Sequence, residues 1–416
     1  MDPMCDPDNP VEVLFSEVTK AAYVIKDAVV KTPCLKAVRL SENIGYQIYL
    51  KREFMQETGS FKERGARYAL SQIPIEKRKN GAIAASAGNH ALGLAFHGKN
   101  LGIPITVVMP TNAPLMKVNL CRSLKANVLL KGEHLGVAKE EALLISQEKG
   151  MTYINGYDHP DVIAGQGTIG LEVVEQVGSF DAIVVPVGGG GLISGVALAV
   201  KSLRPSVQVV GAIAESCQTF SESMKAGKPT TVTLRPTLAD GLAVPTFGCN
   251  AFKTVQSLVD KIVSVSETSI SVAILRLLET EKLIVEGSGA AGFAALISGL
   301  LPELKGKKIV IVLSGGNIDT TVLCHSLRRA MALEGRLVRF AVNISDRTGG
   351  LQKLTTVLAN CDAAIRDMHF EKEWVTGDTY CDQAVFVVET HTAEHASHVE
   401  STLKYCYPEI IWNQLF

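Results

Sequence analysis

The segment GSFKERGA contains the first residue whose type and surroundings could do chemistry, Lys62. A lysine amine is a nucleophile only when it is partly neutral, and burial or nearby cations lower its pKa far enough for that. Small residues stand on both sides of this lysine, and Phe61 offers an aromatic face beside it. An isolated lysine near a helix start is ordinarily a solvated surface residue, so it is these neighbours that favour a reactive amine.

Two further segments could hold an anion through their backbone. The run Gly188–Gly191 follows an apolar strand and precedes a helix that starts near Leu192, so its uncovered amides can wrap a phosphate. It lacks the lysine of a nucleotide P-loop and the GxGxxG spacing of a dinucleotide site. The segment SAGNH at 86–90 also follows a strand and presents amides at a helix start, although an ordinary serine cap with a glycine turn fits it equally well.

A fourth segment, Ser314-Gly315-Gly316-Asn317, follows another apolar strand. Open α/β sheets place ligands at the carboxyl ends of their strands, which is where these small residues stand. Taken alone, this segment is more typical of an ordinary turn that binds no ligand.

The elements that must position these segments alternate between apolar strands and helices. This alternation indicates an α/β fold with parallel sheets. The predicted strands are 47–50, 81–85, 105–109, 182–187, 207–213 and 308–313. The predicted helices are 61–71, 89–100, 114–123, 136–148, 167–177 and 268–280.

A different pattern begins near Glu334–Arg336. Strands at 337–344, 363–371, 383–390 and 409–413, with helices at 350–360 and 393–405, give the order βαββαβ. That order is typical of a small α+β domain of ferredoxin-like topology.

Charge and cysteine content exclude several classes of function. The chain carries 41 basic and 42 acidic residues, which gives no electrostatic basis for binding nucleic acid or an anionic membrane. Its 9 cysteines stand singly without a CxxC pair, so we expect neither a zinc site nor disulfides, and a reducing, cytoplasmic setting. Residues 1–10 lack the features of a signal peptide and are predicted to be a disordered tail.

Taken in their order along the chain, SFKERGA, SAGNH, AGQGTIG at 164–170, GGGGL and SGGN resemble the fold-type II pyridoxal-phosphate family. The resemblance is greatest to the threonine/serine dehydratase (threonine ammonia-lyase) branch, which includes serine racemase, and it covers about residues 11–330. It implies a large cofactor-binding subdomain at 11–80 and 159–330 and a small subdomain at 81–158. It also implies a homodimer or homotetramer.

The resemblance assigns roles to individual residues. Lys62 would form the Schiff base with pyridoxal phosphate, with Phe61 stacked on its ring, Asn89 bonded to its phenolic oxygen and Ser314 facing its pyridine nitrogen. The phosphate would be held by Gly188, Gly189, Gly190, Gly191 and Leu192. The substrate carboxylate would be received by Ser86, Ala87, Asn89 and His90.

These roles imply elimination of water from L-threonine or L-serine, followed by loss of ammonia to give 2-oxobutanoate or pyruvate. A neutral serine at the pyridine nitrogen weakens the electron sink, which favours elimination over transamination. Racemases of the family carry a second serine where this chain has Ala87, so racemisation should be minor. A beta-replacement synthase of the same fold remains an alternative, as does a non-catalytic amino-acid sensor, which would have no need of Lys62.

A cation site is also implied by the resemblance, at Glu215, the carbonyl of Thr219 and Ser221. Racemases have an aspartate at the position of Ser221 and bind a divalent ion. One carboxylate with neutral oxygens suits a monovalent ion, so potassium is expected here. An ordinary turn residue at a strand end is the alternative for Glu215.

Residues 336–416 resemble an ACT-like regulatory domain, in which DRTGG at 346–350 is the ligand-binding turn. Gly349 and Gly350 would expose amides at a helix start, and Asp346 can accept from an amino group. The pairing suits an amino acid or small nucleotide as effector. A purely structural or dimerising domain is the alternative.

Overall fold

The apolar runs of the sequence become the inner strands of separate sheets in the computed structural model, which describes residues 2–372 and 379–413. Contacts divide the chain into two units, Met1–Ile318 and Asp319–Phe416. The strands are β1 (Cys34–Lys36), β2 (Gln47–Arg52), β3 (Ala82–Ala85), β4 (Ile105–Met109), β5 (Asn127–Leu130), β6 (Thr152–Tyr153), β7 (Ala182–Pro186), β8 (Gln208–Ala214), β9 (Lys261–Val265), β10 (Lys308–Leu313), β11 (Leu337–Ser345), β12 (Ala364–Glu371), β13 (Cys381–Glu389) and β14 (Ile411–Asn413).

Helices connect the strands in both units, and those before residue 319 cover the two sheets of the first unit. They are α1 (Phe15–Ile25), α2 (Val38–Ile44), α3 (Lys62–Gln72), α4 (Ile75–Arg78), α5 (Asn89–Leu101), α6 (Leu115–Ser123), α7 (Leu135–Lys149), α8 (Pro160–Val177), α9 (Gly191–Leu203), α10 (Thr219–Ala226), α11 (Cys249–Val255), α12 (Glu267–Glu281), α13 (Gly287–Ile297), α14 (Thr320–Leu333), α15 (Gly350–Asn360) and α16 (Ala393–Cys406). Within the part of the chain that the structure describes, no helix is long and apolar enough to cross a membrane.

Two parallel sheets form the first unit, as the alternation of strands and helices predicts. The larger has the order β1-β2-β10-β7-β8-β9, and only β1 is antiparallel to its neighbour. The smaller has the order β5-β4-β3-β6 and is parallel throughout. Because β2, β10 and β7 are adjacent and parallel, the loops that follow them meet at one edge of the larger sheet.

Helix α8 is longer than the sequence predicts, since it begins at Pro160 rather than near residue 167. Its glycines lower the helix propensity of this segment, so the first two turns of the helix were not predicted from the sequence. The fold requires these glycines because neighbouring backbone segments come close to the helix. A Cβ on Gly165 would lie 2.6 Å from the Cα of Gly65, and a Cβ on Gly167 would lie 2.9 Å from the carbonyl oxygen of Gly195.

Residues 2–10 lie against the first unit, where the sequence predicts a disordered tail. The side chains of Asp2 and Cys5 are buried. Asn155 donates to the Asp2 carboxylate at 3.1 Å, and Asn250 donates to the Met4 carbonyl at 2.7 Å. Both anchoring residues are far along the chain, so the local composition could not reveal them.

The second unit has the ferredoxin-like arrangement that the order βαββαβ predicts. Its antiparallel sheet has the order β12-β13-β11-β14, and α15 and α16 bury their apolar residues against it. Helix α14 packs on β11 and belongs to this unit, so the two units divide after Ile318 rather than near residue 330. Residues 373–378 and 414–416 of the predicted domain lie outside the described residues.

Candidate active site

Lys62 is the first residue of α3 and follows a turn that is bonded to the loop after β10. The amide of Phe61 donates to the Ser314 carbonyl at 3.0 Å, and Ser60 forms a bridge with Gly315. The Lys62 amine donates to the carbonyl of Gly156 and stands 5.1 Å from the centre of the Phe61 ring. Burial lowers the pKa of Lys62 to about 8, so a substantial fraction of the amine is neutral near physiological pH.

The glycine run after β7 fits a phosphate because no side chain fits there. A Cβ on Gly188 would lie 2.9 Å from the Cα of Leu242, and one on Gly189 or Gly191 would overlap Tyr157. Gly190 has a φ of +104°, which a residue with a side chain rarely adopts. Helix α9 starts at Gly191, so its first amides have no partner within the helix. Pyridoxal phosphate requires an anion cradle of this kind.

The SAGNH segment links the smaller sheet to the site. The Ser86 hydroxyl accepts from the amide of Gly88 at 3.3 Å, and Ala87 packs on the core of the smaller sheet. A Cβ on Gly88 would meet nothing within 4 Å, so the space beside it is open. His90 lies behind the segment with its ring buried, and its Nε2 is 3.0 Å from the carbonyl oxygen of Ile154. Burial, and the nearby Lys62 amine, lower the pKa of His90 to about 3, which keeps the ring neutral.

Asn89 takes part in a chain of side-chain hydrogen bonds. It donates to the Glu286 carboxylate at 2.9 Å and accepts from Asn317 at 2.8 Å. Asn317 also donates to the carbonyl of Thr58 at 2.7 Å. The loops that carry Lys62, Asn89 and Ser314 are therefore joined at one place.

Glu286 is a site residue that sequence reasoning missed. It precedes α13, is only 6% exposed, and donates its amide to the carbonyl of Gly315 at 3.0 Å. Burial raises its pKa to about 7, and the nearby carboxylate of Asp240 adds to the rise. The cation of Lys117 and the bond from Asn89 oppose it. The only sequence signal for Glu286 is a lone acidic residue before a glycine-rich helix.

An ion pair connects the two sheets near this carboxyl. Lys117 on α6 lies 3.2 Å from Asp240, which is in the short turn before residue 243. Both charges act on Glu286. The buried hydroxyls of Ser60 and Ser288 have no hydrogen-bond partner among the described residues, which leaves polar atoms for a ligand.

A buried charge network holds α3 from behind. Arg64 is fully buried and pairs with Glu53 at 2.8 Å and Glu172 at 2.6 Å, and Lys51 pairs with Glu172 at 2.5 Å. Although burial alone would raise the pKa of Glu53, Arg64 holds it below its ordinary value. The network ties the helix that begins with Lys62 to β2 and α8.

The residues expected to hold a cation lie near one another in sequence but are engaged in local bonds. Glu215 is exposed at the end of β8. The Thr219 carbonyl accepts from Ser223 at 2.7 Å, and the Ser221 hydroxyl donates to the Gln218 carbonyl at 2.9 Å. Among the described residues, no group of three or more His, Cys, Asp or Glu side chains could hold a metal ion.

The DRTGG turn of the second unit borders a cavity of about 250 Å³. Gly349 has a φ of +97° and stands directly before α15, so the helix start faces the turn. The Arg347 guanidinium lies 4.6 Å from the centre of the Tyr380 ring. The lining includes Ile344, Asp346, Arg347, Leu351, Phe370 and Asp382.

Comparison with known proteins places this geometry among related enzymes. A family model described as pyridoxal-phosphate dependent enzyme matches residues 25–315. An L-threonine ammonia-lyase of Thermotoga maritima is 40% identical over 94% of this chain and 97% of its own. The processed form of threonine deaminase isoform 2 from Solanum lycopersicum has a TM-score of 0.72 and 35% identity, covering 77% of this chain and 96% of that one. Maize serine racemase has a TM-score of 0.72 and 32% identity, covering 77% and 97%.

Proposed function

The chain belongs to the pyridoxal-phosphate dependent enzyme family, and from that premise we propose that it is a lyase that converts L-threonine to 2-oxobutanoate and ammonia, and L-serine to pyruvate and ammonia. Its cofactor is pyridoxal phosphate. The substrates are taken from the L-threonine ammonia-lyase to which it is similar. Ala87 supports elimination over racemisation, because its methyl group cannot carry a proton to the α-carbon.

We assign the residues by what each can hold. Lys62 would bind the cofactor covalently, Gly188–Gly191 and Leu192 would hold its phosphate, Phe61 would stack on its ring, and Ser314 would face its pyridine nitrogen. When bound, the cofactor withdraws electrons from the α-carbon of the amino acid. Once the substrate amine had displaced it, the Lys62 amine could take the α-proton on Nζ and pass a proton to the β-hydroxyl, which would leave as water. Water would then hydrolyse the enamine that remains to the keto acid and ammonia. The amides and hydroxyl of Ser86–His90 receive the substrate carboxylate.

The observation that carries this proposal is the position of the Lys62 amine, which is partly neutral and lies beside the Phe61 ring and the Gly156 carbonyl. The next residue, Tyr157, packs against Gly189 and Gly191 of the glycine run. Lys62→Ala removes both the covalent anchor and the base. We expect keto-acid release from threonine and serine to fall by at least about 10³-fold. The parent protein should have a visible absorption that borohydride removes, and the variant should lack this absorption.

Lys99→Ala, on the exposed end of α5, is the matched control and should retain activity. Keto-acid release by Lys62→Ala above a trace would show that another lysine serves. A panel of hydroxy-amino acids assayed with the parent determines whether threonine or serine is preferred.

The cavity beside DRTGG supports a second role. We propose that an amino acid or small nucleotide binds there and regulates the enzyme, because Asp346 can accept from an ammonium group while Arg347 and the start of α15 can meet an anion. We also propose that the enzyme is a homodimer or homotetramer and works in the cytoplasm. Potassium is proposed at Glu215, the Thr219 carbonyl and Ser221, because one carboxylate with neutral oxygens suits a monovalent ion.

A further inference from the structure

Asn89 lies in a chain of hydrogen bonds whose direction is fixed at one end by the backbone. The carbonyl oxygen of Thr58 can only accept, so the Asn317 atom 2.7 Å from it must be the amide nitrogen. That nitrogen has a second hydrogen, and it lies 2.8 Å from the side chain of Asn89. The Asn89 atom that faces Asn317 is therefore the oxygen, Oδ1.

The other end of the chain agrees with this direction. Since Oδ1 faces Asn317, the nitrogen of Asn89 faces Glu286, and a carboxylate 2.9 Å away accepts its hydrogen. An amide nitrogen carries two hydrogens. The second one has no partner among the described residues, so Asn89 has a donor left over for a ligand.

Close packing keeps both ends of the chain in place. Gly59 has a φ of +76°, and a Cβ there would overlap the side chain of Asn317. A Cβ on Gly315 would lie 2.6 Å from the Glu286 carboxylate, whose own amide donates to Gly315 at 3.0 Å. Bare backbone on two loops thus lets Asn317 and Glu286 reach Asn89 from opposite sides.

We propose that Asn317 and Glu286 are positioning residues that fix Asn89 as a hydrogen-bond donor toward the cofactor. The inference rests on the cofactor placement proposed above. A donor that cannot turn favours an oxygen in its deprotonated, accepting form. The phenolic oxygen of pyridoxal phosphate is such a group, so the pair would hold it ionised and would contribute to cofactor affinity.

The test compares holoenzymes of four variants: Asn317→Ala, Glu286→Ala, Glu286→Gln and, as control, Ser298→Ala. Two quantities are measured, the dissociation constant of pyridoxal phosphate on dilution and the pH midpoint of its visible absorption. Asn317→Ala frees Asn89 to turn, so we expect about tenfold weaker binding and a midpoint about one pH unit higher. Ser298→Ala, which changes an exposed hydroxyl directly after the far end of α13, should alter neither quantity.

The two Glu286 variants separate the hydrogen bond from the charge, because both remove the charge and only glutamine keeps an oxygen that can accept from Asn89. We expect Glu286→Gln to bind the cofactor more tightly than Glu286→Ala and to have the lower midpoint. Equal values for these two variants, or parental values for Asn317→Ala, would overturn the proposal. Melting of each holoenzyme identifies a variant that has lost its fold, in which case the remaining variants decide. A different result would indicate that the cofactor placement itself is wrong, because Lys62→Ala would then keep the visible absorption.

Discussion

Replacing Glu286 with glutamine should stabilise the cofactor-free protein, and more so as the pH rises. Burial raises the pKa of this carboxyl from 4.5 to about 7, so the folded chain binds more protons than the unfolded chain between these values. Folding stability is therefore lost as the pH rises through this window, and the cost is complete above about pH 7. Because the glutamine amide does not ionise, the variant does not lose this folding stability as the pH rises.

The size of the effect follows from the shift. A difference of about 2.5 pH units corresponds to roughly 3 kcal/mol at about pH 8 and roughly 1 kcal/mol at about pH 5.5. One hydrogen bond lost from the carboxylate subtracts about 1 kcal/mol at either pH. The gain from Glu286→Gln should therefore be near zero at about pH 5.5 and about 2 kcal/mol at about pH 8, which corresponds to about 3 °C in melting temperature for a unit of this size.

Thermal or urea unfolding of parent and variant across this pH range measures the gain. Glu148→Gln, on the exposed side of α7, is the matched control, because it makes the same replacement at the surface instead of in the interior. A gain for Glu286→Gln that does not grow with pH would refute the reasoning, because it would mean that the carboxyl titrates alike in the folded and unfolded chains.

Three further outcomes are expected. Ala87→Ser should produce D-serine from L-serine, since it places a hydroxyl on the far face of the α-carbon; chiral chromatography that detects no D-serine would contradict this role. Potassium chloride should raise the melting temperature above that in sodium chloride if Glu215 and Ser221 help bind the ion, by mass action on the folded state; equal temperatures would remove the site. Branched-chain amino acids or AMP should change activity with a coupling of about 1–3 kcal/mol, and Arg347→Ala should weaken that response; kinetics that no ligand alters would refute regulation.

Strong periodic segments made most of the fold predictable. All six strands predicted in the first unit are present, because each consists mainly of apolar residues. Strands β1, β5, β6 and β9 were missed, since they are short and stand at the edges of the two sheets. Helix α13 was missed because GSGAAG has low helix propensity, and its glycines are explained only by the backbones that it approaches, such as the Gly315 carbonyl 2.6 Å from a Cβ on Gly289.

The site was predictable where motifs are contiguous and hidden where it depends on distant partners. Lys62, the glycine run and Asn89 stand in recognisable segments of the sequence. Glu286 and Asp240 are single acidic residues in unremarkable surroundings. Only the fold brings Glu286 within reach of Lys62 and Asn89, and Asp240 within reach of Glu286. The N-terminal residues 2–10 show the same limit, because Asn155 and Asn250 hold them in place.

The buried network behind α3 has a consequence for how this sequence can vary. The network contains two cations, Lys51 and Arg64, and two carboxylates, Glu53 and Glu172. Its net charge is zero only when all four residues are present. Removing one member leaves an uncompensated buried charge, at a cost of about 3–5 kcal/mol, whereas exchanging the set for apolar residues can be neutral. Substitutions at these four positions should therefore occur together among related chains, and a lineage that changed Arg64 alone would have to pass through a poorly folded ancestor.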